Sequence, residues 1–170
     1  VKYRPGSTAP HIDNRVPLEK LPVQVRLAND EDINFIFSSW LKSFKTSNLS
    51  YNVVNTIYYT EQHKTIEKIL KSSTVLVACN SDDPTQVYAW ACGERIDGIF
   101  CLHYVYTKHN FRSMGFGKLL LNGFDHDFKT AGICSHYTKI AERLAPKYNL
   151  LYHPYVLFST FSEQKEKSDE

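Results

Sequence analysis

Apolar and polar positions change period several times along the chain, and each change predicts an element. Val23–Leu27 alternates and reads as a strand. Ile33, Ile36, Phe37, Trp40, Leu41 and Phe44 then recur at helical spacing, with Asp30 placed as N-cap and Glu31 and Asp32 in the first turn. A second helix is predicted over about 52–71 from Val54, Ile57, Tyr58, Ile66, Ile69 and Leu70. Thr74–Cys79 is a buried-strand run, followed by a turn cluster at 80–84. Gln86–Glu94 and Ile99–Thr107 are two more strands, joined by the hairpin signal Asp97-Gly98.

Beyond a glycine-containing loop at 108–115, Phe116, Leu119, Leu120, Phe124 and Phe128 mark the buried face of a third helix. A short strand Ile133–Tyr137 follows, then a last helix carrying Ile140, Ala141 and Leu144, with Pro146 near its end, and a final strand Leu150–Phe158. The order β-α-α-β-β-β-α-β-α-β predicts an α/β (α+β) domain, a mixed sheet flanked by helices. Pro5, Pro10, Pro17 and Pro22 make residues 1–22 an extended arm. The domain is placed at 23–160, and the polar residues 161–170 form a flexible tail.

Composition narrows this little further. The 170 residues suit one domain, with 42% hydrophobic and 22% charged residues. A net charge of +2 does not indicate a nucleic-acid partner. Cys79, Cys92, Cys101 and Cys134 form no CxxC pair, and buried free thiols are expected. No apolar run approaches the roughly 18 residues of a membrane span. The N-terminus from Val1 lacks an apolar signal core, so a soluble cytoplasmic protein is the expectation, in a host cytoplasm if the source is viral. Asp125-His126-Asp127, placed on a helix, would point in three directions, so no metal is assigned.

The chemistry concentrates in Val105-Tyr-Thr-Lys-His-Asn-Phe-Arg-Ser-Met-Gly-Phe-Gly-Lys-Leu-Leu120, an apolar strand, a loop, R-x-x-G-x-G and a helix. A helix start leaves N–H groups without partners at its positive end. Gly115 and Gly117 allow a pyrophosphate to approach, and Arg112 and Lys118 add charge. A strand-to-helix turn that needs glycine only for its backbone has the same sequence. Neither a Walker loop nor a dinucleotide fingerprint is present.

This stretch resembles motif A of the GNAT (Gcn5-related N-acetyltransferase) superfamily: an apolar strand, [R/Q]-x-x-G-x-[G/A] and a Leu-rich helix. Thr107–Arg112 matches the family's V-x-P-x-[YH]-R in length, with Lys108 and His109 where proline often sits. Val25–Ile33 resembles the family's opening I-R-x-A-x-x-x-D, and Thr138–Leu150 its closing segment. The resemblance covers about 23–158 and implies a mostly antiparallel sheet of six to seven strands with about four helices. It implies acetyl-CoA, or another acyl-CoA, in a cleft between two splayed central strands. The backbone of Val105, Tyr106 and Thr107 would bind the pantetheine arm. The turn Arg112, Ser113, Met114, Gly115, Phe116, Gly117 and Lys118 would hold the pyrophosphate.

Direct acyl transfer needs a base for the amine, a donor for the oxyanion and an acid for the thiolate. His103, on the strand leading to the turn, is the first base candidate, and Glu94 the second. Ala145 stands where many members carry the acid tyrosine, leaving Tyr148 as substitute, with Tyr137 and Ser135 as further choices. Tyr51, Tyr58, Tyr59 and His63 are candidates to line the acceptor side. Three functions follow: an N-acetyltransferase acting on an unidentified amine; a nucleic-acid base-modifying enzyme on the same fold, loosely similar to phage-type members; or an inactive binding or virion-associated module. Oligomeric state stays open, a dimer included.

Overall fold

A computed structural model describes residues 16–158. The arm residues before Val16 and the tail from 161 lie outside the described residues. The predicted order of elements is the observed one. Strand β1 (Val23–Leu27) is followed by helices α1 (Asp30–Lys45) and α2 (Asn55–Ser72). Strands β2 (Thr74–Asn80), β3 (Val87–Ile96) and β4 (Ile99–Thr107) come next. Then come α3 (Phe116–Leu121), β5 (Gly132–Cys134), α4 (Lys139–Leu144) and β6 (Leu150–Tyr152). The six strands lie in sequence order in one sheet. β1 to β4 pair antiparallel, whereas β4–β5 and β5–β6 are parallel, joined through α3 and α4.

Local chemistry explains the well-defined boundaries. Asn29, one residue before the expected cap, starts α1: its Oδ1 accepts from the Glu31 N–H at 3.0 Å, and the Asp32 carboxylate accepts from the Asn29 N–H at 2.9 Å. Asp32 is also gripped by both terminal nitrogens of Arg26 on β1, at 2.6 and 3.0 Å. Asp97 and Gly98 both have positive φ (50° and 79°), as a tight two-residue hairpin requires.

The sheet buries both faces. On one side α1 and α2 cover Val77, Trp90, Cys92 and Tyr104 with Ile36, Trp40, Ile66 and Ile69. On the other, Phe116, Leu120 and Leu121 of α3 pack with Leu76, Ala89, Ala91, Leu102 and Val105. The four cysteines are free, buried and each on a strand.

Three elements are shorter than expected. The third helix stops at Leu121. A Cβ on Gly123 would stand 2.8 Å from the Leu76 side chain, so here the chain runs too close to the sheet for a regular helix surface. Phe124 and Phe128 still pack on Phe100, at 5.3 and 5.6 Å between ring centres, but from turns. Asp125–Asp127 is likewise not helical, and His126 stacks on Phe100. The fifth strand ends at Cys134, and the sixth at Tyr152 ahead of His153-Pro154.

Candidate active site

Two irregularities in the sheet build the site. The first lies in β4. Cys92 faces Tyr104 and Gly93 faces Leu102, so His103 is an extra residue opposite none of its own. Such a bulge re-aims a side chain and breaks strict alternation. The second lies between β4 and β5. They pair only at Cys101–Ile133 and Leu102–Cys134, with a last bond from the Ser135 N–H to the Leu102 carbonyl at 3.1 Å. Beyond Leu102 the strands part, and β4 runs on to Thr107 without a β5 neighbour.

A cleft of about 720 Å³ opens along this parting. One wall is Tyr104–Thr107, and another is the turn into α3. The third is α4 with the residues after it, and Ser43 to Leu49 close the end beside α1. Of the ten residues assigned to cofactor binding, Val105, Tyr106, Thr107, Arg112, Ser113, Gly115, Phe116, Gly117 and Lys118 line it. Met114 does not, and packs instead against the core beneath α3. Gly115 has φ 99° and Ser113 φ 63°, so the turn reverses sharply before α3, which Gly115 caps with no side-chain bond. The Arg112 Nε donates to the Thr107 carbonyl at 3.3 Å, tying the turn to the end of β4. The cleft lining is cationic: Arg112, Lys118, Lys139, Arg143 and Lys147 against Glu142.

His103 and Glu94, expected as alternatives, are bonded to each other. His103 Nε2 lies 2.7 Å from Glu94 Oε1, and His103 is 2% exposed. Its Nδ1 lies 2.7 Å from Ser135 Oγ, which is 2.9 Å from His136 Nδ1. His136 Nε2 in turn meets Gln62 Nε2 of α2 at 3.2 Å. Both nitrogens of His103 are thus engaged, one by Ser135 and the other by Glu94. A void of about 10 Å³, the size of one water, sits where β4 and β5 part. Its lining includes His103 and His136, and it shares Tyr104, Val105, Thr138, Ile140 and Leu144 with the cleft.

No family model matches the chain, and no curated protein matches it in sequence. Solved structures match its shape. A possible acetyltransferase from Clostridium difficile 630 is 18% identical, with a TM-score of 0.48, over 74% of this chain and 86% of that one. An acetyltransferase of the GNAT family from Staphylococcus aureus MU50 is 15% identical, with a TM-score of 0.44, over 59% and 62%. The apo form of YjaB from Escherichia coli is 16% identical, with a TM-score of 0.42, over 59% and 63%. The chain therefore spans less than two thirds of the length of the last two.

Burial sets the protonation of the site. It drives His136 down to about 3, with a smaller contribution from His103, so His136 is neutral near pH 7. Burial alone would raise Glu94, but the hydrogen bond from His103 leads the interactions that hold its carboxyl below the ordinary value. Burial raises Tyr104 to about 12. The Tyr104 hydroxyl meets Ser43 Oγ at 2.9 Å, and Ser43 already donates to the Ser39 carbonyl at 2.6 Å, so Tyr104 is the donor between them.

Tyr148 lines the cleft, as does Tyr137. Ser135 is buried and lines neither space. Tyr51, Tyr58, Tyr59 and His63 lie outside the cleft lining. Tyr58 is buried, donating to the Leu41 carbonyl at 2.6 Å. His136 and Tyr104 were not singled out from sequence. A histidine beside a serine at a strand end carries no spacing signal, and Tyr104 reads as one more aromatic in an apolar strand. Among the described residues no three His, Cys, Asp or Glu side chains gather into a metal site, and no helix is long and apolar enough to cross a membrane.

Proposed function

We propose that this chain is an acyl-CoA-dependent N-acyltransferase, with acetyl-CoA as donor and an amine as acceptor. The observation that carries the reading is the parting of β4 from β5 beyond Leu102. It leaves strand-edge N–H and C=O groups of β4 facing a cleft, as an amide-bearing pantetheine arm needs. The cleft's 720 Å³ suits a cofactor-sized ligand. Arg112, Lys118, Lys139, Arg143 and Lys147 match the phosphates of CoA. The motif in 105–120 resembles the GNAT pyrophosphate turn, and that turn lines the same cleft.

In this reading Val105, Tyr106 and Thr107 bond the pantetheine amides, and the Arg112–Lys118 turn holds the pyrophosphate. The amine approaches from the end of the cleft bounded by Ser43 to Leu49. The thioester supplies an activated acyl group; the protein aligns it with the amine, excludes water and manages one proton. Tyr148, whose hydroxyl burial keeps protonated, is the cleft-lining candidate for acid toward the thiolate.

Equilibrium binding of CoA tests the reading, with dephospho-CoA and adenosine as controls. Saturable 1:1 binding of CoA and none of adenosine supports it. No binding of CoA at high micromolar concentration removes it.

A further inference from the structure

The chain Gln62–His136–Ser135–His103–Glu94 has one consistent direction. Glu94 is ionised and only accepts, so His103 donates from Nε2 at 2.7 Å. At the other end Gln62 Nε2 donates to the neutral His136, whose Nδ1–H then donates to Ser135 Oγ, which leaves the Ser135 hydroxyl to donate to His103 Nδ1 at 2.7 Å. Ser135 has one proton, so its oxygen accepts from His136 Nδ1–H at 2.9 Å. His136 Nε2 accepts from the Gln62 amide at 3.2 Å. Four successive bonds agree on this direction.

Each of the first four members can also work in reverse. An amide can turn over, imidazoles can change tautomer and a hydroxyl can rotate. A cluster kept only for packing has no need of reversibility at every joint. The chain also connects two places. His136 and His103 line the one-water void that adjoins the cleft, whereas the Glu94 side chain keeps 13% of its surface exposed.

We propose that these five side chains form a reversible proton relay for acyl transfer, entered at His136 Nε2 when the Gln62 amide swings off it and storing its proton on the His103–Glu94 pair. The inference rests on the acyltransferase reading and deepens it. As the amine nitrogen bonds to the acyl carbon, the Gln62 amide swings its NH2 off His136 Nε2, and the amine proton passes to that nitrogen through one water in the void. The proton on His136 Nδ1 moves to Ser135 Oγ, and the Ser135 proton moves to His103 Nδ1. His103 is then an imidazolium against the Glu94 carboxylate, and Gln62 turns its carbonyl toward His136. When the carbon–sulfur bond breaks, the sequence runs backwards and the proton goes to sulfur. The relay ends as it began, and no net proton is consumed. Ser135 and Gln62 are positioning residues here, whereas His136 takes the proton of the substrate.

Other groups face the pair without replacing it. Cys92 and Cys101 from β3 and β4 are raised by burial and stay thiols, with Cys101 Sγ 3.8 Å from His103 Nδ1. Cys134 of β5 is raised to about 11. Ser72 and Ser73 at the end of α2 stand beside Glu94, and α1 presents the Trp40 and Phe44 rings to His136. Tyr104 turns its ring edge-on to His136.

Nitrogen NMR of the histidine-labelled full chain, titrated from neutral to acid, tests the relay. At neutral pH His103 should carry its proton on Nε2 and His136 on Nδ1. As His103 gains a second proton, His136 should move its own to Nε2 in the same step. Ser135→Ala should uncouple the two events, and Ser135→Thr should restore the coupling. Should Ser135→Ala fail to fold, Gln62→Glu, altered at a half-buried helix position, should already hold His136 as the Nε2–H tautomer at neutral pH. Saturating CoA should shift both ring signals. An unswitched His136 in the wild type, coupling that survives Ser135→Ala, or ring signals indifferent to bound CoA would each overturn the relay. Calorimetry with CoA on the same samples separates the two readings. CoA binding without the coupled switch removes the relay alone, whereas the switch without CoA binding removes the acyltransferase.

Discussion

The Ser135 N–H bonds to the Leu102 carbonyl at 3.1 Å, and this is the last backbone bond across β4 and β5 before the strands part. One residue further on, β4 carries the bulged His103, whose imidazole meets the Ser135 hydroxyl. The same pair of segments thus opens the cleft and holds both histidines of the chain at the small void that adjoins it.

The cationic lining should decide affinity for phosphate-bearing ligands. Arg143→Ala with Lys147→Ala removes two exposed cleft charges without touching the core. A loss of about 1–2 kcal/mol, roughly tenfold in CoA affinity, is expected. The loss should shrink at high salt. Calorimetry at two ionic strengths measures both.

Acid should destabilise the fold through His136. Its folded value of about 3 lies below the ordinary value near 6.5, so between these limits the unfolded chain binds more protons. Stability is therefore full above about pH 6.5 and falls as pH drops toward 3, by about 1 kcal/mol per pH unit from this group. Glu94, lowered in the fold, adds loss in the same direction at the acid end. His136→Gln should be less stable at pH 7 but have a shallower slope. Urea unfolding across this pH range reads both.

Gly132 sits where β5 is squeezed between its neighbours. A Cβ there would stand 2.9 Å from Leu150 and 3.0 Å from the Phe100 carbonyl. Gly132→Ala should cost about 2 kcal/mol of unfolding free energy, because backbone on the β4 side cannot yield. A shift in the denaturant midpoint at constant slope would show it.

Asp32 joins β1 to the start of α1, at once a ligand of Arg26 and half of the helix cap. Asp32→Ala should cost about 2–3 kcal/mol, since it strands a partly buried guanidinium and frees the Asn29 N–H. Arg26→Ala should cost less, because the cap remains. Thermal melts of the two variants distinguish these outcomes.

Much of the fold was legible because its signals are local. β1 and β4 have the residues expected of them, and the Asp97-Gly98 turn and the apolar stripe of α1 were plain in the pattern. The failures were places where packing mimics periodicity. Phe124 and Phe128 continue the helical spacing of Phe116 and Leu120, yet they reach Phe100 from turns. The cleft-lining turn was readable as a motif, because its glycines and cations are contiguous. Of the histidine chain only Glu94, His103 and Ser135 stood out, as separate candidates, because its five members come from α2, β3, β4 and the residues after β5, and only the folded sheet brings them together.

Everything proposed for the site depends on whether the cleft takes CoA. A Cβ on Gly117 would be in ordinary contact with Leu144, 3.7 Å away, so Gly117→Phe should fold while filling the space between the turn and α4. Isothermal calorimetry of the wild type and this variant with CoA, on samples matched by thermal melt, is the most direct measurement. One CoA per chain is expected for the wild type and at least a hundredfold weaker binding for Gly117→Phe, about 3 kcal/mol. Equal affinity in the two proteins, or no CoA binding by the wild type, would contradict it.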